Sequence, residues 1–135
     1  MTHRLILLRH GQTEYNATSR MQGQLDTELS DLGFQQAASA ASVLVQKNIT
    51  HVFSSDLSRA FNTASAVAAL IDAEVRVDKR LRETHLGEWQ AKTHPEVDSE
   101  YPGARAQWRH DPQWAPPGGE SRVDVARRAR QVVDE

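Results

Sequence analysis

The stretch Leu8-Arg9-His10-Gly11-Gln12-Thr13 gathers the residue types that phosphate chemistry uses. A neutral imidazole is a competent nucleophile. Arg9 beside it offers a planar fork of N–H donors matched to phosphate oxygens. Gly11 lets the backbone turn and come close to a ligand, and Thr13 and Asn16 add uncharged donors one turn further on. Arg59 reads as a first-turn helix residue, a place where a cation is unfavourable unless an anion lies nearby. Glu83 stands close to Arg80 and Arg82, and taken alone could be a solvated carboxylate paired with either. His85 and His94 read as structural or surface histidines. Trp89 suits loop packing at least as well as substrate stacking, and Trp108 and Trp114 read as packing.

These groups need elements to position them. Leu5 to Leu8 is a continuous apolar run ending abruptly at Arg9, the pattern of a strand buried on both faces of a parallel sheet. Phe34, Ala38, Ala41 and Val45 then fall at helical spacing from Ser30 to about Lys47, with Ser30 or Asp31 placed to cap. Ile49 to Phe53 reads as a short strand leading into Ser54-Ser55-Asp56. A second helix follows with Leu57, Ala60, Phe61, Ala64, Ala68 and Ile71 on one stripe, and Ala73 to Val77 is a third strand. The alternation predicts an α/β fold with a mostly parallel sheet, in which ligands bind outside the carboxyl ends of the strands. Arg9-His10-Gly11 and Ser54-Ser55-Asp56 both fall at such ends. Leu86 to Gly119, which holds all three tryptophans, reads as an irregular excursion over the sheet edge. It is expected to contain a short helix near Ala104 to Arg109 and to shape the substrate pocket. Ser121 with Asp124 forms a variant capping box for a final helix.

Composition narrows the function. The 135 residues suit one domain, and 39% apolar and 25% charged residues are ordinary globular usage. A formal net charge of −2 argues against a nucleic-acid or anionic-membrane partner. The longest apolar run, Ala66 to Ile71, is too short to span a bilayer, and Leu5 to Leu8 is too short for a signal-peptide core. The absence of cysteine excludes disulfides and thiolate chemistry. The expectation is a cytoplasmic protein. Thirteen of the sixteen basic residues are arginine, which reflects either genomic base composition or oxyanion binding.

Four motifs in order give the chain a close resemblance to the histidine phosphatase superfamily, also called phosphoglycerate mutase-like. They are Leu8 to Thr13 with Asn16; Ser54-Ser55-Asp56-Leu57-Ser58-Arg59-Ala60 with Thr63; Arg82-Glu83 with Gly87-Glu88-Trp89; and Gly118-Gly119-Glu120-Ser121. Met21 to Ser30 and Leu81 to Gln90 look most like the family's branch acting on glucosyl-3-phosphoglycerate. The resemblance implies a three-layer α/β/α domain and a metal-independent phosphomonoesterase without cofactor, whose partner is a small phosphate ester. It suggests a homodimer. It makes His10 the nucleophile that becomes a phosphohistidine, Arg9 and Arg59 the phosphoryl clamp, Glu83 the proton donor and acceptor, and Asn16 and Gln22 the lining of the substrate region. Physical chemistry agrees with these roles. Guanidinium groups steady the phosphoryl oxygens and keep the imidazole neutral. The alkoxide leaves only with a proton, so the acid must be protonated when the dianionic substrate is bound, and it then activates water.

The final helix reaches Glu135 with no Gly or Asn to close it. The resemblance also implies a second catalytic histidine, in a His-Gly pair after a later strand lying beside the first. The expectation is therefore that residues 1–135 are the amino-terminal portion of a longer polypeptide and have weak activity or none alone. Two other functions stay open: a phosphoglycerate mutase, which the short spacing of 34 residues between Glu83 and Gly118 disfavours, and a non-catalytic phosphate-ester-binding module.

Overall fold

The structure is a computed structural model that describes residues 4–135. In chain order its elements are α1 (Glu14–Ala17), α2 (Asp31–Leu44), β1 (Val52–Ser54), α3 (Ser58–Leu70), β2 (Val75–Val77), α4 (His94–Glu100), α5 (Ala104–His110) and α6 (Arg122–Val133). β1 and β2 pair in parallel, with Val52, Phe53 and Ser54 opposite Val75, Arg76 and Val77, and α3 forms the crossover between them. The α/β expectation holds in this strand–helix–strand unit. The observed strands are shorter than their apolar runs, and the sheet has two strands among the described residues.

The expected strand at Leu5 to Leu8 is not formed. The segment has no regular structure, and its side chains are exposed, from 38% at Ile6 to 84% at Leu7. A continuous apolar run records a requirement for cover on both faces, but a strand exists only where a neighbour completes its hydrogen-bond ladder. β1 pairs with β2 alone, and no described strand lies along Leu5 to Leu8.

Helix α2 lies along α3. It buries Gly33, Ala37 and Ala41, while α3, which also packs on β1 and β2, buries Arg59, Thr63, Ala64, Val67 and Ala68. Of the stripe expected from spacing only Ala41 is buried; Phe34 is 50% exposed. Interhelical distance depends on the side chains at the contact, and the glycine and alanines that α2 buries take less room than a phenylalanine would.

The excursion after Leu86 is more ordered than expected. The helix near Ala104 forms, and α4 precedes it. Thr93 caps α4 by accepting from the Glu96 amide at 3.3 Å, and Pro95 lies in its first turn. Trp89 and Val97 are fully buried with Leu86, and Met21, Tyr101, Ala104, Trp108 and Trp114 pack around them. Trp89 meets Trp108 edge-on at 6.0 Å and Trp114 at 5.5 Å, so it packs against both of the other indoles. Ser121 and Asp124 make the expected capping box at α6.

Two glycines bring the segment after His10 onto the start of α2. A Cβ on Gly33 would stand 2.0 Å from the Gln12 carbonyl oxygen, and one on Gly11 would stand 2.3 Å from the Gly33 carbonyl oxygen. Both neighbours are backbone and cannot swing aside. Gly33→Ala is therefore expected to destabilise the protein by about 1–3 kcal/mol and to shift the amide resonances of His10 to Thr13. Urea unfolding and a heteronuclear NMR spectrum would check both; an unchanged midpoint with unmoved resonances would contradict the contact.

Candidate active site

Backbone contacts fix where His10 sits. The Gly11 amide donates to Thr63 Oγ1 on α3 at 3.2 Å, and Thr63 in turn donates to the Arg59 carbonyl one helical turn earlier at 2.8 Å. The Gln12 amide donates to Gln36 Oε1 on α2 at 2.9 Å, and the Ser30 amide donates to the Gln12 carbonyl at 2.9 Å. Thr13 then caps α1, with its capping-box partner Asn16 accepting back from the Thr13 amide at 3.0 Å. The turn bearing His10 is thus stitched to both long helices.

His10 is half-buried, and its Nδ1 lies 2.7 Å from the Gly11 carbonyl oxygen. A carbonyl can only accept, so Nδ1 carries the proton and Nε2 keeps its lone pair. Burial holds the imidazole below its ordinary pKa of 6.5, and the nearby Arg59 and Arg9 charges push the same way. The Gly11 hydrogen bond and the Glu83 charge oppose them. His10, Arg9, Arg59 and Glu83 therefore form one electrostatic cluster. A cavity of about 640 Å³ opens beside the imidazole, lined by Arg9, His10, Gln12, Asn16, Gln36 and Thr63 among others.

Arg9 is exposed at the mouth of this cavity, whereas Arg59 is 1% exposed. Arg59 donates through Nη1 to the Leu25 carbonyl and Thr27 Oγ1, and through Nη2 to the Gly23 carbonyl. Three of its five N–H donors thus hold the loop from Gly23 to Thr27 against α3. An anion near the start of α3 is present as a side chain: Asp26 Oδ1 accepts from the Ser58 amide at 2.7 Å. Gln22 joins the same loop, its Oε1 accepting from Thr13 Oγ1 at 2.6 Å and from Thr27 Oγ1. Arg59, Gln22 and Glu83 do not line the cavity, while Asn16 does.

Glu83 is exposed, and its Oε1 accepts from the Thr84 amide at 2.6 Å. The neighbouring Arg82 makes a two-pronged contact with Asp56, at 2.7 and 2.6 Å. That pair joins the Glu83 segment to the turn after β1, and Arg82 holds the Asp56 carboxyl below its ordinary range. His85 Nδ1 accepts from the Gly87 amide at 3.0 Å, a structural contact. Spacing alone did not single out Gln36. Its signal was its place on α2, three residues beyond Gly33 and next to the buried Ala37. Among the described residues no cluster of three or more His, Asp or Glu side chains is arranged to hold a metal ion, and no helix is long and apolar enough to cross a membrane.

The family model described as "Histidine phosphatase superfamily (branch 1)" matches residues 5–135. A glucosyl-3-phosphoglycerate phosphatase of Mycolicibacterium vanbaalenii is 61% identical over 132 residues, covering 98% of this chain. One of Mycobacterium tuberculosis is 59% identical over the same length. The chain spans 59% of the length of each of these relatives. A solved mycobacterial glucosyl-3-phosphoglycerate phosphatase in complex with VO3 superposes with a TM-score of 0.91 at 58% identity, covering 93% of this chain and 60% of that one.

In a native fold His10 binds its proton later than in the unfolded chain as pH falls. Its contribution to stability is full above pH 6.5 and is lost as pH drops through the lower native pKa. An NMR titration following the His10 Cε1 proton should give a midpoint below 6.5, and Arg9→Ala should move it upward. A native midpoint at or above 6.5 would contradict the arrangement.

Proposed function

The chain belongs to the histidine phosphatase superfamily, and from that premise we propose that it serves phosphomonoester hydrolysis through a phosphohistidine at His10. The observation carrying this reading is the Nδ1 contact with the Gly11 carbonyl, which leaves Nε2 neutral and nucleophilic beside the cavity. Nε2 attacks phosphorus while the phosphorus–oxygen ester bond breaks, and a protonated Glu83 delivers its proton to the departing alkoxide. Glu83, now a carboxylate, takes a proton from water. The water oxygen attacks phosphorus, the nitrogen–phosphorus bond breaks, and inorganic phosphate leaves. Arg9, with the two donors of Arg59 that the loop does not use, steadies the phosphoryl oxygens. Asn16 lines the substrate region, and Gln22 orders it through Thr13 and Thr27.

The names of the 59–61% identical relatives support glucosyl-3-phosphoglycerate, or a similar phosphorylated sugar acid, as the substrate. The family resemblance extends the reading to a cytoplasmic homodimer acting without metal or cofactor.

The test uses the polypeptide at its natural length with phosphate-labelled glucosyl-3-phosphoglycerate, 3-phosphoglycerate and an aryl phosphate. Acid-labile, base-stable label should appear on His10 and then as inorganic phosphate, fastest with the first ester. His10→Ala should reduce turnover by about 10³-fold or more. Label passing to a second sugar acid instead of water would make the protein a mutase. Undiminished turnover in His10→Ala would refute the phosphohistidine.

A further inference from the structure

The carboxylate assigned to proton transfer sits on a stretch, Arg82 to Leu86, that belongs to no helix or strand. Its backbone polar groups must be satisfied by something else. One side chain from a distant element meets much of that need. Arg128, on α6, is largely buried, with its side chain 20% exposed. Its Nη1 donates to the carbonyl oxygens of Arg80 at 2.8 Å and Arg82 at 2.6 Å. Its Nη2 donates to the Glu83 carbonyl at 2.9 Å and to the Glu120 carboxylate, and its Nε donates to the other Glu120 oxygen at 3.2 Å. A guanidinium has five N–H donors, and all five are used.

Glu120 completes the frame. It accepts from the His85 amide at 2.9 Å and from Gln24 Nε2 at 3.4 Å, and Gln24 Nε2 also reaches the Glu83 carbonyl at 3.2 Å. Burial raises the Glu120 pKa, but Arg128 and the His85 amide outweigh it and keep the carboxyl below its ordinary range. One ion pair thus grips the backbone on both sides of Glu83, at the carbonyls of residues 80, 82 and 83 and the amide of residue 85. The opposite flank is held by Arg82 and Asp56.

We propose that Arg128 and Glu120 are a positioning pair for the acid–base carboxylate, fixing the Glu83 backbone so that its side chain can deliver a proton to the leaving oxygen. Neither residue touches the substrate; both act through Glu83. The role rests on the phosphohistidine reading above. It calls for arginine at position 128, because the planar fork serves three carbonyls and a carboxylate at once, which the point charge of a lysine cannot.

A leaving-group comparison separates this role from plain scaffolding. An alkoxide needs the Glu83 proton, whereas 2,4-dinitrophenolate leaves as a stable anion. Single-turnover phosphorylation of His10 is measured in the polypeptide at its natural length, with glucosyl-3-phosphoglycerate and with 2,4-dinitrophenyl phosphate. Arg128→Ala should slow the first by roughly 10- to 100-fold and the second by no more than about threefold. Phosphoenzyme made from the dinitrophenyl ester should persist longer, because water activation also needs Glu83. Glu120→Gln should act in the same direction, and Arg128→Lys should restore part of the loss. Far-UV circular dichroism checks folding; if Arg128→Ala does not fold, the two milder variants carry the comparison. Parallel losses on both esters, no loss on either, or failure of all three variants to fold would overturn the positioning role. If the wild type forms no phosphohistidine with either ester, the reading of His10 falls and this role falls with it. Phosphorylation of the wild type with parallel losses in the variants removes the positioning role alone.

Discussion

The arrangement depends on a close passage of backbone against backbone, where the Gly11–Gln12 peptide crosses the first turn of α2 at Gly33 with no room for a Cβ on either side. Contacts of this kind transmit position without slack. Thr63 of α3 and Gln36 of α2 bond the same turn from two sides, so the location of His10 follows from how α2 and α3 pack. The small-residue faces of those helices are therefore part of the site, although none of their alanines has any chemistry to offer. Phosphoryl transfer, the reaction proposed here, relies chiefly on placement, and the regular part of the fold fixes where His10 sits.

Glu83 is held in a different way. No ladder or helix runs through its segment, and side-chain ion pairs take over the task from several directions. This also accounts for much of the arginine content. Arg59, Arg122 and Arg128 donate to main-chain carbonyls, while Arg80, Arg82 and Arg105 form close ion pairs with carboxylates. Most of these guanidiniums thus serve the protein's own oxygens, and only Arg9 among the named site arginines stands exposed at the cavity. A lysine-rich chain of equal charge would lack the multidentate geometry that these joins use.

Legibility in the sequence followed how local each determinant is. The cap of α6 and the polar turn after β1 were readable because their signals lie within a few residues of the structure they specify. The helix α4 carries equally local signals in Thr93, Pro95 and Glu96, but it is only two turns long and sits in a segment of otherwise irregular composition. The strand at Leu5 to Leu8 was misread because hydropathy reports what a segment needs, while pairing depends on a neighbour elsewhere. The face of α2 departs from its spacing for a related reason: periodicity favours Phe34, but the tertiary packing buries Gly33, Ala37 and Ala41. His10, Arg9, Arg59 and Glu83 stand out in the sequence by type and order, and their roles remain the proposal made above. That Arg59 would face the Gly23–Thr27 loop with three of its donors, and that Gln22 and Glu83 would lie outside the cavity, required the three-dimensional arrangement.

The indole cluster has an optical consequence. Trp89, Trp108 and Trp114 are the chain's only tryptophans, and all three belong to the body formed by residues 86–114 rather than to the α2–α3 pair or the strands. Intrinsic emission excited at the red edge of the absorption band therefore reports on that one region, with energy exchange between Trp89 and a tilted ring at 5.5 Å and an edge-on ring at 6.0 Å. A change around His10 is optically silent unless it reaches the excursion, so the excursion carries a built-in fluorophore while the turn bearing His10 has none.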